Sequence, residues 1–295
     1  MKVTLDIFSG RENPTWDLSK KDTKKLVDIV AQKALPSVDA VESILGFRGY
    51  VISADSDDVP VGLGLPSDFR IGGTLFDQTV VPQGLALAVM TPKESDQAAL
   101  WLLSTAGKAV EDEVLAYVEK TIKTRVATAL EKPGRQRAPK VEKKTRIAAG
   151  CTIANTPYNP AFWNTPQTQP HNNCYNYAMN YRSNTFAQPG RISGHPNNVM
   201  QCANVAAAAN WDGCRAVCSG SNKNVALVIW PNRDYHWYRF HSNGFWGHKP
   251  GSTAARNTDN RGRVIGGALN PQNCDRGNYT IFCGYRFSPT GMRVS

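Results

Sequence analysis

The sequence predicts an α+β protein of two domains joined by a basic linker. Three observations carry this. The 295 residues exceed what one hydrophobic core commonly fills. Charge and cysteine are unevenly distributed: residues 1–130 hold 14 Lys+Arg against 18 Asp+Glu (net −4), residues 131–147 hold 7 against 2 (net +5), and residues 148–295 hold 13 against 4 (net +9), which together give the overall +10. All seven cysteines and all five histidines lie from Cys151 onward. Finally, the second half reads as a helix pair followed by antiparallel strands, an α+β order.

In the first domain, 1–131, Val3–Phe8 alternates as a strand and Ser9-Gly10-Arg11-Glu12-Asn13-Pro14 is turn chemistry. Ser19-Lys20-Lys21-Asp22 resembles a capping box and opens an amphipathic helix to about Leu35. Arg48–Ala54 reads as a strand, with shorter strands near 70–76 and 84–90. Helices follow at Glu94–Ser104 and Val110–Glu131, where apolar residues recur at helical spacing. This α/β domain shows no catalytic constellation, and its expected role is accessory or recognition. Residues 132–147 are Lys- and Arg-rich with Pro and Gly and read as an exposed linker.

In the second domain, 148–295, an Asn- and Pro-rich loop leads to a helix starting at Cys174. A second, Ala-rich helix covers about 198–211. Val225–Trp230 is an apolar strand. Tyr235–His241 and Gly244–His248 form a hairpin turning at Ser242-Asn243-Gly244, and Tyr279–Phe287 is the last strand.

No run of about 18 apolar residues is present, so no transmembrane helix is predicted. The N-terminus reads as a first strand rather than a signal peptide. Export by a route without a cleaved leader is favoured over a cytoplasmic location. Seven cysteines are six plus one; if six pair, Cys174 is the thiol left over. Disulfides imply an oxidising destination. The basic second half suits an anionic polymer. Nucleotide-binding glycine motifs are missing, and nucleic acid is not an expected partner. Ligand-like spacings occur at His171-x-x-Cys174 and Cys214-x3-Cys218, but without paired CxxC units or HExxH neither a metal nor another cofactor is expected.

The chemistry concentrates at Cys174. A thiol at a loop-to-helix junction lies near unpaired N–H groups that favour thiolate and can hold an oxyanion. His236, on a later strand, is the expected general base, and His248, 12 residues on across the hairpin, the orienting group. Asp234, Asn257 and Asp259 are substitutes for that third role. His241 lies an odd number of residues from His236 and faces the other way. Asn173 and Gln169, with Gln167 nearby, are oxyanion or orienting candidates. The expectation is a cysteine peptidase or amidase, a thiol hydrolase cleaving an amide bond. Its substrate would be a protein or a peptidoglycan-like peptide with free carboxylates. Secreted delivery as a toxin, with a cognate immunity protein, is compatible with it. The alternative is a non-catalytic matrix or anionic-polymer-binding protein with a hydrolase-like fold.

The Cys helix, the strand His and the second His resemble the core of the NlpC/P60 and CHAP-type papain-like cysteine peptidases and amidases, over roughly residues 150–290. That resemblance implies a Cys-bearing helix packed on an antiparallel sheet, with Cys174, His236 and His248 in the catalytic positions. Asp234-Tyr235-His236-Trp237-Tyr238 with Gly247-His248-Lys249-Pro250-Gly251, and the opening 7–14, are also similar to uncharacterised bacterial proteins and to some mollusc shell-matrix proteins, a likeness that implies no activity.

Overall fold

The computed structural model describes residues 1–31, 33–54, 65–73, 88–128, 150–154 and 156–295. The expected linker, 132–147, and the boundaries on either side of it lie outside these residues. The described chain forms helices and sheets of an α+β protein in two compact units. The first holds Met1–Ile7, Asn13–Glu42 and the described residues from Phe47 to Thr128. The second holds Phe8–Glu12, Ser43–Gly46 and the described residues from 150 onward.

The first unit has a four-stranded antiparallel sheet in the order β2 (Thr15–Asp17), β1 (Lys2–Leu5), β4 (Tyr50–Ser53), β5 (Asp68–Ile71), and a short parallel pair, β3 (Lys33–Ala34) with β6 (Ala88–Val89). Alternation in β1 buries Val3 and Leu5 beside Tyr50, Ile52, Phe69 and Ile71. Helix α1 (Lys20–Val30) is capped by Ser19, whose side chain accepts the Asp22 N–H. Helix α2 (Pro92–Ser104) opens with a reciprocal Thr91–Glu94 capping box and Pro92 in its first turn. It packs on β5 and on α3 (Asp112–Thr128). Asp6 is buried between Arg48 and Arg70, at 2.6 and 2.8 Å. The two guanidiniums outweigh burial and hold its carboxyl well below the ordinary range.

In the second unit the sheet runs β10 (Trp246–His248), β9 (Asp234–Phe240), β8 (Gly220–Trp230), β11 (Ile281–Pro289), all antiparallel. A parallel strand, β7 (Cys151–Ile153), pairs with the start of β8. Every residue from Val225 to Trp230 is buried, as expected of an apolar central strand. Helices α4 (Cys174–Met179) and α5 (Cys202–Trp211) lie over one face of this sheet. Cys174, Tyr175, Ala178, Val205 and Ala209 pack there with Val225, Leu227, Ile229, Tyr235 and Trp237. Helix α5 starts at Cys202 rather than near Asn198, because its first residue is tied to β11 by a disulfide.

Two disulfides form, Cys151–Cys218 and Cys202–Cys283, while Cys174, Cys214 and Cys274 are free and buried. The six-plus-one pairing is therefore corrected to two pairs and three thiols. Sequence neighbours do not pair, because each bridge ties separate elements together: β7 to the approach to β8, and α5 to the edge strand β11. The second bridge spans 81 residues. Replacing Cys202 and Cys283 together by Ser is expected to lower unfolding free energy by about 4 kcal/mol through lost loop constraint. Denaturant unfolding of the oxidised proteins measures this, and an unchanged midpoint would refute it.

Candidate functional site

Cys174 opens α4, as the sequence suggests, but two N–H groups of that helix's first turn are already taken. The Asn173 side-chain oxygen accepts from the Tyr175 and Asn176 N–H groups at 3.0 and 3.2 Å. The Asn176 side chain returns the bond to the Asn173 N–H. Asn173 Nδ2 donates to Gly10 O at 2.9 Å and Ala187 O at 2.7 Å. Both of its amide protons are thus engaged, and it serves as a helix cap rather than an oxyanion donor. The sulfur is wholly buried and lies 3.9 Å from Tyr235 O. Burial, then the nearby Asp234 carboxylate, pushes the thiol well above its usual range. The Trp237 N–H, the Ser9 hydroxyl and Lys249 pull less strongly the other way. Burial thus works against the thiolate expected from a helix N-terminus.

His236 and His248 do meet across the hairpin, with His236 Nε2 2.9 Å from His248 Nδ1. Beyond them His248 Nε2 lies 2.8 Å from Thr258 O, and His236 Nδ1 is hydrogen-bonded to Ser9 Oγ. A carbonyl can only accept, which fixes the near end of this chain of bonds. His248 carries its proton on Nε2 and accepts at Nδ1. His236 therefore donates from Nε2, and its Nδ1 is taken by the Ser9 hydroxyl. Both ring nitrogens of His236 are thus engaged by groups other than Cys174. The period of the strand adds a second reason. Tyr235 and Trp237 face the helix side with Cys174, whereas His236 stacks edge-on with Tyr238, His248 and Tyr279. Burial, with Arg256 nearby, pushes His248 down to about 3, so that ring is uncharged at neutral pH.

Asp234 holds a chain segment instead of an imidazole. Its buried carboxylate accepts the N–H groups of Ser9 (2.6 Å), Gly10 (3.1 Å) and Arg11 (2.9 Å), and the Tyr279 hydroxyl (2.5 Å). Burial pushes this carboxyl up while those four donors pull it down. Gly10 must be glycine, because a Cβ there would stand 2.4 Å from the Tyr235 ring. Gln169 contributes its backbone carbonyl, which with those of Asn172 and Gly251 surrounds the buried Lys249 ammonium at 2.5–2.8 Å. Gln167 is exposed. Asp259 pairs with Arg263 at 2.6 Å, and Asn257 lies on the strand-like return that faces β10. His241 indeed faces away from His236, donating to Thr156 O and accepting from the Tyr177 hydroxyl. Of the potential zinc spacings, Cys218 is in a disulfide, and among the described residues no group of three or more His, Cys, Asp or Glu is placed to hold a metal. Ser9, Gly10, Lys249, Thr258 and Tyr279 were not signalled by the sequence. Ser9 and Gly10 read as ordinary turn residues, and their partners Asp234 and His236 are more than 220 positions away.

Two outcomes follow from this geometry. In the native protein at pH 8, iodoacetamide should leave Cys174, Cys214 and Cys274 unmodified and label all three after unfolding in denaturant; mass mapping that finds rapid native labelling of Cys174 would contradict the assigned burial. The pH dependence concerns His248, whose native value of about 3 lies below the ordinary value of about 6.5. Below pH 6.5 the unfolded chain binds a proton that the native one refuses. This contribution to stability is therefore complete above about pH 6.5 and falls away as the pH drops towards 3. His248→Gln should be less stable at pH 7 and show a shallower decline over that window, measured by denaturant midpoints at each pH. Parallel curves would place the acid sensitivity elsewhere.

No protein-family model matches the chain, and no solved structure matches it. A curated relative does: insoluble matrix shell protein 1 of Ruditapes philippinarum, 45% identical over 136 residues, which are 45% of this chain and 90% of the relative. That name is of a shell matrix protein. It overturns the NlpC/P60 and CHAP resemblance, and with it the cysteine peptidase, amidase, thiol-protease and toxin expectations. The site agrees, since its thiol is buried, with burial raising its pKa, and its imidazoles are bonded to other partners. A peptide substrate and an immunity protein are without support. No described helix is long and apolar enough to cross a membrane. By its similarity over nearly the whole of that relative, the chain belongs to the family of insoluble matrix shell protein 1.

Proposed function

We propose that this chain is a non-catalytic matrix protein whose basic second unit holds an anionic polymer. The observation that carries the reading is the fate of the four acidic residues in residues 148–295. Each is turned to an internal hydrogen bond. Asp212 accepts from Tyr175, Gly190 and Ser193. Asp234 holds the Ser9 segment, Asp259 pairs with Arg263, and Asp275 pairs with Arg261. Arg182, Arg215 and Arg293 meanwhile are exposed. Among the described residues from 150 onward every acidic side chain is thus bonded, and the outward field there is positive. The relative's name as a shell matrix protein supports the same reading. Two disulfides suit an oxidising extracellular matrix.

In this proposal Cys174, His236, His248, Asn173, Asp234 and Gln169 are structural. They join the Ser9 segment, α4 and β9 into one packed body. The domain reading is retained as a proposal too, with residues 1–131 as an accessory or recognition module, 132–147 as a basic tether and 148–295 as the polymer-binding body.

The test is retention on carboxylated polysaccharide beads against neutral polysaccharide beads. The full chain should bind the charged beads alone and elute as salt rises, since screening removes the attraction. Arg182→Ala with Arg215→Ala and Arg293→Ala should elute at lower salt, and Cys174→Ala at the wild-type position. Equal retention on both bead types would refute polymer binding through charge.

A further inference from the structure

One face of the second unit's sheet gathers cations without a counter-charge. In the ladder, Arg286 of β11 is the register partner of Val225 on β8, and Val225 is the register partner of Arg239 on β9. Residues in one row point to the same face, so Arg286 and Arg239 flank Val225, with backbones about 10 Å apart. Lys223 lies two residues from Val225 along β8 and therefore shares that face. Trp237 occupies the same face two residues from Arg239.

The polar atoms of this group are almost all donors, and several are orphaned. Arg239 is 2% exposed, and its Nε and Nη1 have no hydrogen-bond partner. The buried Nε of Arg286 and Nε1 of Trp237 also have none. Arg239 lies 4.7 Å over the Tyr177 ring, a contact that offers π density in place of a carboxylate. The other guanidinium bonds of Arg286 are long, 3.5 Å to Ala206 O and 3.4 Å to Cys214 O. Lys223 donates to the Pro289 and Thr290 carbonyls. No carboxylate among the described residues pairs with any of the three cations, because all four aspartates of the unit are bonded elsewhere. The adjacent Cys214 cannot serve as an anion, since burial pushes its thiol up to about 12.

Orphaned donors of buried guanidiniums cost several kcal/mol each unless something accepts from them. We propose that Arg239, Arg286 and Lys223 form a binding site for one small oxyanion, of the sulfate, phosphate or carboxylate class, between this sheet face and α5. The ligand would accept from Arg239 and from Arg286 Nε, with the Trp237 indole N–H as a neutral donor. Arg286 is half-buried on the edge strand, so the row reaches solvent at that end while Arg239 closes the inner end. Two further facts support the assignment. Burial, with Arg239 alongside, pushes Lys223 down to about 8, a shift that an anion placed beside it would offset. The site uses none of Arg182, Arg215 and Arg293, although Arg215 is backbone-paired with Phe287 beside Arg286, so sulfate binding and polymer retention are read out separately.

The experiment uses the full oxidised chain, freed of polyvalent anions by dialysis into chloride. Radiolabelled inorganic sulfate in equilibrium dialysis should bind at one per chain, and phosphate should compete for it. In thermal unfolding, low-millimolar sulfate should raise the midpoint above that in chloride of equal ionic strength; at such concentrations the general salting-out effect is small. Arg286→Met, a half-buried position, should lose the bound sulfate and the sulfate-specific shift while retaining the wild-type circular dichroism spectrum. Arg286→Lys, which keeps the charge, should retain part of the shift. Absence of bound sulfate in the wild type, or equal binding by Arg286→Met and wild type, would overturn the proposal. If Arg286→Met fails to fold, the wild-type stoichiometry and the response of Arg286→Lys decide the question.

Discussion

The second unit depends on one buried carboxylate. Asp234 starts β9, and its oxygens gather three consecutive N–H groups, those of Ser9, Gly10 and Arg11, together with the Tyr279 hydroxyl. Successive amides curled round an anion form a concave nest, one of the tighter ways to bind a carboxylate with backbone alone. An ionised carboxylate with no such donors would be costly at this depth. Because Asp234 fixes the backbone of residues 9–11, it also fixes where the Gly10 carbonyl and the Ser9 hydroxyl point. That carbonyl accepts from Asn173, Gln188 and Tyr235, which ties the cap of α4 to the same segment. The hydroxyl begins the relay through His236 and His248 to the Thr258 carbonyl.

This explains how residues that look catalytic in the sequence are bonded to other partners in the fold. A cysteine on a helix start, a strand histidine and a second histidine across a hairpin are the parts of a thiol hydrolase, and of their contacts the one between the two histidines is present. What differs is the group between them. Ser9, delivered by a segment that is remote in sequence, occupies His236 Nδ1, while the sulfur rests against the strand backbone at Tyr235 O. A hydrolase also uses donors at the helix start, and here Asn173 takes those of Tyr175 and Asn176. The same residue types therefore supply rigidity, with every ring nitrogen and amide proton of the relay satisfied.

The distribution of cations follows related logic. The net +9 of residues 148–295 is not laid uniformly on the surface. Lys223, Lys249 and Arg239 are buried, and the two lysines are satisfied by carbonyl oxygens rather than carboxylates. With the aspartates also turned inward, the exterior charge is carried by a smaller set of arginines. Arg239 is the interior cation whose Nε and Nη1 no carbonyl satisfies, and it shares a row across the sheet with Arg286. Composition counts charges without distinguishing these two populations.

The sequence by itself determined the α+β class, α4 at Cys174, the apolar run of β8, and the hairpin that sets His236 beside His248. All of these rest on local signals: a capping side chain, a run of buried β-branched residues, and a turn midway between two residues of one face. The reach of β8 back to Gly220 and the late start of α5 were not legible, because β7, β11 and a disulfide set those limits from outside the segment. Tertiary structure alone decided the site. Ser9 and Gly10 carry no mark of their role beyond turn composition, since their partners Asp234 and His236 are more than 220 residues away. Which cysteines pair is equally a matter of which strands lie side by side. Whether a thiol at a helix start is reactive depends on its burial and on who takes the neighbouring N–H groups, and both are properties of packing that no local pattern contains.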